Sequence, residues 1–473
     1  MVRFIELFKP LARFLPDISS PKRKVSFNER LLWTGLVLII YFIMSEIPLY
    51  GVGKGGAQDP FGALRIIFAS HRGTLMELGI GPIVTAGLIL QILAGSKMIN
   101  VDLSDPSDRA LFTSASKVLA VFMTLFEALA YLIGGAYGKL NFQTQAIILL
   151  QLLAAGIVIM LMDELLQKGW GFGSGISLFI AAGVAQTIWW NSVAPLGPMA
   201  DGKYLGALVA FAQSLKNLSE ASKAFYRSEG LPDMIGFITT IAIFMAVIYL
   251  NRLRVEVPVS YAKFRGFRGR YPIKLLYVSN IPVIFASALF GNIYFISQIL
   301  WSRYNSSNSN FWLNLLGTFD IKEGHYQPSG GLVYYVISPK NLSEALSDPI
   351  RAVANIILMM VTCVFFAVTW VEVAGMDAKS IAKQLLDSGM QIGGFRRSSF
   401  PIQKIFEKYI PAVTILGGLL IGLIAVTADF FGAFGSGVGI LLMVGILEQY
   451  YEILMRERML EMYPGLSALM GKK

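Results

Sequence analysis

The sequence predicts an all-α polytopic membrane protein whose roughly ten transmembrane helices form two inverted five-helix halves. Composition is the first reason. The chain has 473 residues, of which 55% are hydrophobic and 15% charged, and its mean hydropathy is +0.60. Soluble domains carry about 25% charged residues. The other reasons are a series of long apolar runs and a set of short motifs that recurs later in the chain.

The apolar runs have lengths suited to membrane helices, which need about 20 apolar residues to cross the hydrocarbon core. Ahead of them, residues 1–30 mix basic and aromatic side chains, which is typical of an amphipathic segment at the membrane surface. Apart from a broken second stretch, the runs cover residues 31–44, 110–135, 145–166, 171–190, 234–250, 275–300, 352–371, 409–428 and 432–454.

The second stretch, residues 59–95, is apolar at both ends and interrupted in the middle. Neither piece is long enough to span a membrane as a helix. Irregular backbone at membrane depth is stable only where protein or an aqueous cavity surrounds it. The stretch therefore predicts a half-helix beside a short span, next to an aqueous path, although a helix pair in an outer loop has the same pattern. The interrupting residues are His71, Arg72, Gly73 and Glu77, followed by Gly79, Ile80, Gly81 and Pro82.

Lysine and arginine are concentrated in four segments, which a ten-span topology places on one side of the membrane. These are residues 1–30, the connections 252–274 and 376–408, and the tail 457–473. Basic loops remain on the cytoplasmic side. Both termini are therefore expected in the cytoplasm.

Two motifs of the first half recur in the second. Phe172-Gly173-Ser174-Gly175 matches Phe434-Gly435-Ser436-Gly437, and the segment 82–86 resembles 282–286. Five spans per half is an odd number, so the second half is inverted relative to the first. The halves are residues 31–230 and 231–456, and inverted repeats place their pathway at the interface between them.

Sites for cofactors, metals or catalysis are not predicted. Residues 51–56, GVGKGG, follow a membrane span instead of a strand, so they do not form a dinucleotide site. The sequence has two histidines and one cysteine, Cys363, which leaves neither a metal cluster nor a disulfide framework. No catalytic triad can be assembled, and enzyme activity has little support.

Glu127 lies in the middle of an apolar run, and a carboxylate at that depth is a functional candidate. A polar role at a helix seam fits it better than proton coupling, because ion-coupled transporters bring several such groups together. A secondary transporter of a small solute, built from inverted repeats, remains the alternative function.

Bulky aliphatic residues beside the chain breaks form a second candidate group. A ring of such side chains can seal a pore by excluding water and ions, although ordinary helix packing gives the same pattern. Ile80 and Val84 are four residues apart and so share a helix face, and the same holds for Ile176 and Ile180. Ile284 and Leu442 lie at comparable places in the second half.

The basic connections interleave arginine and lysine with aromatic residues, as in KFRGFRGRYPIK and GGFRRSSF. Cationic and aromatic side chains together can bind RNA phosphates and exposed bases. Charge that sets topology near anionic membrane lipid explains the same composition.

Several long blocks occur in order along the chain, among them RGTLMELGIGPIVTAGLILQILAG, DELLQKGWGFGSGISLFIAAG, RVEVPVSYAKFRGFRGRYPIKLLYVSNIPVI and DFFGAFGSGVGILL. Through these blocks the chain resembles the SecY family, the large alpha subunit of the Sec protein translocase, in its archaeal or eukaryotic form. The resemblance implies a central hourglass pore between the two halves, and co-translational transport of polypeptides without a cofactor.

The resemblance also assigns roles to residues. The aliphatic residues named above would form the pore ring. Thr85, Glu127 and Asn280 would lie at a lateral gate. Gly73, Gly79, Gly81 and Pro82 would form a hinge after a movable plug, residues 59–72, that includes Pro60, Phe61, Leu64, Arg65, Ile66, Ile67 and Phe68. Lys263, Arg265, Arg268, Arg270, Arg396 and Arg397 would dock the ribosome.

The implied partners are a small single-span subunit of the SecE type, a second small beta subunit, the ribosome, signal sequences with their nascent polypeptides, and membrane lipid. An archaeal plasma membrane is the expected location, with the endoplasmic reticulum as the alternative.

Overall fold

The computed structural model describes residues 8–52, 65, 69–95, 98–99, 101, 106–133, 137–138, 140–199, 201–215, 225–227, 231–261, 268–278, 280–322, 325–339, 342–388, 390–391 and 399–462. Within these residues, nine helices are long and apolar enough to cross a membrane, and a shorter apolar helix joins them. The predicted polytopic helical fold is therefore confirmed.

The elements are numbered along the chain. The helices are α1 Lys9–Ala12, α2 Phe27–Glu46, α3 Gly81–Gly95, α4 Pro106–Ile133, α5 Phe142–Gln167, α6 Gly175–Val193, α7 Ala207–Ser214, α8 Met234–Arg252, α9 Ile281–Tyr304, α10 Phe311–Leu316, α11 Gly331–Val336, α12 Leu342–Ser347, α13 Pro349–Val373, α14 Ala378–Asp387, α15 Ser399–Phe430 and α16 Gly437–Met462. The strands are β1 Arg254–Tyr261, β2 Arg268–Lys274, β3 Thr318–Lys322, β4 His325–Gly330 and β5 Met390–Gln391.

Polar caps fix where several membrane helices begin. Ser26 accepts a hydrogen bond from the Glu29 amide at the start of α2, and Asp233 accepts one from Gly236 at the start of α8. Such caps satisfy amides that have no partner within the helix. Each cap stands where a polar connection meets an apolar run, so the sequence determines these boundaries locally.

One helix begins later than predicted. The seventh apolar run was expected to be helical from residue 275, but α9 begins at Ile281, with a proline in its first turn. The Leu275 amide instead donates to the Leu253 carbonyl at 2.8 Å, which continues the strand pairing of the preceding hairpin. Both apolar residues of this stretch are buried, Leu276 in the central apolar cluster and Val278 in a cluster with Val257 and Ile273 of the hairpin.

The repeated motif has the same local structure in both halves. The Phe172 amide donates to Thr34 Oγ1 at 3.0 Å, and the Phe434 amide donates to Thr240 Oγ1 at 2.8 Å. Each threonine belongs to the first helix of its half. Gly173 and Gly435 both have positive φ, +67° and +82°, which glycine adopts without a steric penalty. The repeat is thus a structural one.

A buried carboxylate holds the following turn in each half. Asp163 Oδ1 accepts from the Ile176 amide at 3.1 Å, and Asp429 Oδ1 accepts from the Gly437 amide at 2.7 Å. Both aspartates belong to the helix before the motif, α5 or α15. The carboxylates therefore cap α6 and α16 and satisfy amides at their first turns.

Five short strands were not predicted. Strand β1 pairs with β2 and with β5 in a three-stranded sheet, and β3 pairs with β4 in a separate hairpin. We call the end of the molecule that carries β1, β2 and β5 the inner end, and the opposite end the outer end.

The N-terminal segment crosses the inner ends of α4 and α5. Its described helix is short, Lys9–Ala12. Asp17 accepts from Lys117 at 2.6 Å and from Lys168 at 2.8 Å, so the segment is tied to both helices.

Candidate pore and lateral gate

A cavity of about 900 Å³ lies between the two halves, and five of the six predicted ring residues line it. Ile80, the sixth, is fully buried and belongs to the same apolar cluster as Ile180 and Leu442. The structure therefore brings together residues that are up to 362 positions apart along the chain, from Ile80 to Leu442. The five that line the cavity are Val84, Ile176, Ile180, Ile284 and Leu442.

The other end of the cavity is polar. Asn251 and Lys274, at the base of the β1–β2 hairpin, lie on its wall, so the polar end faces the inner side. Charges of opposite sign are paired there: Lys274 Nζ lies 3.9 Å from Glu448 Oε1 and 3.6 Å from Glu452 Oε1. This end of the cavity wall therefore carries both positive and negative charges, which suits a path for chains of varied sequence.

Apolar side chains close the cavity at the ring. Ala69, at the end of the predicted plug, lies against Gly183, where an added Cβ would be 3.7 Å from the Ala69 Cα. Gly183 is about one turn further outward along α6 than Ile180. Tyr41, which is fully buried, stacks on Phe179 with ring centroids 5.0 Å apart. The described end of the plug segment thus lies on the outer side of the ring.

The turn between the plug and α3 is held by a buried ion pair. Arg65 Nη2 lies 2.7 Å from Glu77 Oε1, and the Glu77 side chain is only 1% exposed. The other Glu77 oxygen accepts from the Gly73 amide. The predicted plug residues Pro60, Phe61, Leu64, Ile66, Ile67 and Phe68 lie outside the described residues.

The four predicted hinge residues occupy this turn and the start of α3. Gly73 and Gly79 have positive φ, +70° and +55°, and Gly81 and Pro82 begin the helix. The Leu49 amide donates to the Gly73 carbonyl at 2.8 Å, so the turn is attached to the chain after α2.

The three predicted gate residues lie on three different elements. Thr85 is buried in α3, Glu127 is half-buried in α4, and Asn280 precedes α9. In the part of the chain that the structure describes, no hydrogen bond joins them. Asn280 Nδ2 instead donates to the Leu441 carbonyl of α16 at 2.8 Å, beside Gly445, where an added Cβ would be 2.0 Å from that nitrogen.

The seam between the halves is closed by packing. Helix α3 contacts α13, and α4 approaches α9 where the Tyr131 and Phe295 rings lie 5.9 Å apart. The same cluster includes Ala128 and Leu152. These contacts close the seam between α3 and α4 on one side and α9 and α13 on the other.

The two basic connections meet in one sheet. Ser260 and Tyr261 of β1 pair with Gln391 and Met390 of β5, so the second basic connection contributes a strand to the sheet of the first. Lys263, Arg265, Arg396 and Arg397 lie outside the described residues.

The remaining two predicted docking arginines belong to strand β2. Arg268 is the first residue of β2 and lies opposite Ser260 of β1. Arg270 is exposed and donates to Glu256 at 2.6 Å, and this hydrogen bond holds the pKa of Glu256 below its ordinary value.

Three sets of residues in this region were not predicted from the sequence. Alternating Val255, Val257 and Val259 were a period-two signal for strand β1. Glu77 was noted only as an interruption, although a carboxylate in an apolar stretch indicates a buried partner. Tyr131 and Phe295 had no signal, because aromatic residues are common in apolar runs.

The chain is similar to known proteins over almost its full length. The SecY family model matches residues 74–451, and the model of the plug domain of Sec61p matches residues 39–73. The Sec61 subunit alpha protein transport protein of Dictyostelium discoideum is 44% identical, covering 96% of this chain and 97% of that protein. The protein translocase subunit SecY of Pyrococcus furiosus is 43% identical, covering 98% and 99%.

Solved structures are similar to this chain over the same extent. A protein-conducting channel superposes with a TM-score of 0.81 at 39% identity, over 96% of this chain and 98% of that one. Sec61 in the canine ribosome-channel complex from the endoplasmic reticulum gives 0.79 at 37% identity, with the same coverage.

Proposed function

The chain belongs to the SecY family, and we propose that it is the central subunit of a protein-conducting channel, which translocates secretory polypeptides and releases transmembrane segments sideways into the lipid. Family membership makes it a multi-pass membrane channel subunit and not an enzyme. Within the structure, the aliphatic ring at the closed end of the cavity carries the proposal. The alternative, a small-solute transporter, would place coupling carboxylates there.

The ring fits a path for polypeptides better than a binding site. Aliphatic side chains offer a passing chain no fixed hydrogen bonds, so no sequence is held in place. When the channel is idle, the same side chains exclude water, and ions cannot cross a dry constriction. One ring can therefore serve transport and sealing.

Replacing Ile80 and Ile176 together by glycine should open this seal and raise the ion conductance of idle channels in planar bilayers severalfold. The Leu/Leu double variant keeps the side-chain bulk and should stay closed. Ile148→Gly, a buried position outside the cavity, controls for general destabilisation. An unchanged conductance in the glycine double variant would contradict the assignment of the ring.

We propose that residues 59–72 plug the channel from the outer side and that residues 73–82 let the plug move. The position of Ala69 beside Gly183 supports this arrangement. The Arg65–Glu77 pair would hold the plug in its closed position. Because the turn that carries Glu77 is attached to residue 49, the pair connects a movable segment to a fixed one.

We propose that the lateral gate opens between α3 and α4 of the first half and α9 and α13 of the second. Thr85 and Glu127 belong to the first face, and Asn280 to the second. The Asn280–Leu441 bond supports a role in positioning the ring, because Leu442 is the next residue. Movement of α9 would then be transmitted to the seal.

The ribosome is the proposed inner-side partner. The canine relative was solved in a ribosome-channel complex, and here the sheet β2–β1–β5 brings the two basic connections together. Phosphate contacts by lysine and arginine weaken with salt. Arg396→Glu with Arg397→Glu should therefore weaken ribosome binding and reduce its salt dependence.

A cosedimentation assay over a salt series measures this effect. Lys472→Glu with Lys473→Glu is the matched control, since it changes the same charge at a site given no docking role. Equal binding by the Arg396/Arg397 variant and the unmodified chain at every salt concentration would rule out the role of these arginines.

The orientation and the remaining partners are part of the same proposal. The basic inner end faces the cytoplasm by the positive-inside rule, in an archaeal plasma membrane or, as the alternative, the endoplasmic reticulum. A SecE-type single-span subunit and a second small beta subunit would complete the complex. Copurification of two small membrane proteins with the tagged chain would test this composition.

A further inference from the structure

The outer connection after α9 exposes a group of large apolar side chains. Within the short helix α10, the exposed fractions are 69% for Phe311, 79% for Trp312 and 56% for Leu315. Tyr304, the last residue of α9, is 72% exposed. Large aromatic side chains at this exposure normally have an apolar environment in the functional protein.

The group continues the lipid-facing side of α9. Leu289 and Ile296 are 41% and 53% exposed, and they precede Tyr304 by fifteen and eight residues on the same side of the helix. Helix α9 has 24 residues, which corresponds to about 36 Å at 1.5 Å per residue. Its outer end therefore reaches the edge of a hydrocarbon core of about 30 Å.

A network of asparagines fixes α10 at this level. Trp301 Nε1 donates to Asn308 Oδ1 at 2.7 Å, and Asn305 Nδ2 donates to Asn314 Oδ1 at 2.7 Å. Asn305 Oδ1 accepts from the Asn310 amide at 2.9 Å, and Asn305 itself is only 1% exposed. The network joins α10 to the last turn of α9, so the two move together.

The composition of the connection suits a lipid headgroup region. Residues 304–317 contain no charged side chain, but they contain Tyr304, Phe311 and Trp312. Tryptophan and tyrosine are enriched at the membrane–water interface, where an apolar ring and a polar group are both satisfied. Other outer helix ends expose aromatic rings as well, including Phe142 at 83% and Trp189 at 69%.

We propose that residues 304–316 form a lipid anchor, which inserts Tyr304, Phe311, Trp312 and Leu315 into the outer lipid–water interface. The occupant of this surface is the bilayer, because the surface is uncharged and continues a lipid-facing helix side. Since α9 is one face of the proposed lateral gate, the anchor holds the outer end of a gate helix at a constant depth.

Site-directed spin labelling in vesicles tests the anchor. The one native cysteine, Cys363, is fully buried and is replaced by alanine. A nitroxide is then attached at Trp312→Cys or, on the same side of α10, at Leu315→Cys. Ile296→Cys is the lipid-facing control. Ser307→Cys, an exposed position in the polar part of the same connection, is the aqueous control.

Power saturation with oxygen, which partitions into lipid, and with a water-soluble nickel chelate distinguishes the environments. We expect labels at 312 and 315 to be accessible to oxygen and protected from nickel, at a shallower depth than the label at 296. Accessibility to nickel equal to that at 307 would place α10 in water and overturn the proposal. Protection from both reagents would show that protein covers the surface, which would overturn it too.

Discussion

Two buried polar contacts, each made by a single pair of residues, lie next to the proposed seal and plug. At one contact, Asn280 donates to the Leu441 carbonyl, and only the absence of a side chain at Gly445 leaves room for the amide. At the other, Arg65 meets Glu77 in a site where the two side chains are 11% and 1% exposed. Removing one partner of a buried ion pair leaves an unpaired charge, which costs about 3–5 kcal/mol.

Substitution of Glu77 by glutamine should therefore weaken the closed plug and raise the conductance of idle channels. Arg65→Gln should do the same. The double variant removes both charges of the pair, so its conductance should be lower than the sum of the two single effects. The double-mutant cycle is measured in planar bilayers. Strictly additive effects, or no effect of either substitution, would show that the pair does not hold the plug.

The partner of a buried polar side chain could not be predicted from the sequence. Asn280 was predicted as a polar group at the seam, but its acceptor is 161 positions away. An asparagine amide can bond to any carbonyl, so its own sequence position does not select one. The clustering of the predicted ring residues had a sequence signal, because each follows a glycine or proline at a chain break by at most five residues.

Each half depends on an equivalent hydrogen-bonded turn. Thr34 Oγ1 donates to the Arg30 carbonyl and accepts from the Phe172 amide, and Thr240 Oγ1 donates to Gly236 and accepts from Phe434. One hydroxyl thus joins the first helix of a half to the motif before its last helix.

Replacing either threonine by valine should cost about 1–3 kcal/mol, because a buried amide loses its acceptor. The two losses should be similar, since the contacts are equivalent. Thermal unfolding in detergent compares them, with Thr369→Val as the control, whose hydroxyl bonds only within its own helix. A loss of stability in only one of the two variants would show that the two contacts match in geometry but not in their contribution to stability.

At the level of elements, the helices were predicted from the sequence and the strands were missed. The helices follow from long apolar runs that end at caps such as Ser26 and Asp233. Strand β1 carried a period-two signal in its valines, but its two-residue Met390–Gln391 partner has no recognisable period. The pairing of two connections depends on how the whole second half folds.

For the whole molecule, lateral opening requires the halves to separate where Tyr131 contacts Phe295. A short bismaleimide link between Tyr131→Cys and Phe295→Cys, in a Cys363→Ala background, should block release of transmembrane segments into lipid. Integration of a signal anchor delivered by ribosomes is the measurement, and cleavage of the linker should restore it.

The control joins Phe126→Cys to Leu129→Cys, two exposed positions on α4, and leaves the seam free. Normal integration through the channel linked at 131 and 295 would mean that the exit lies elsewhere. The contact between α4 and α9 was expected only through the family resemblance. The hydrophobic periodicity of a helix does not indicate which other helix it packs against.

The sheet β2–β1–β5 is built entirely from the second half, so the proposed docking of a ribosome there would act on that half alone. Both basic connections, 252–274 and 376–408, belong to the second half, and Lys274 is paired with Glu448 and Glu452 of that same half. A ribosome that binds this sheet would hold the second half in place and leave the first half, which carries the plug and four of the six ring residues, free to move. Attachment and opening would then be mechanically separate events, and the arriving signal sequence would supply the second.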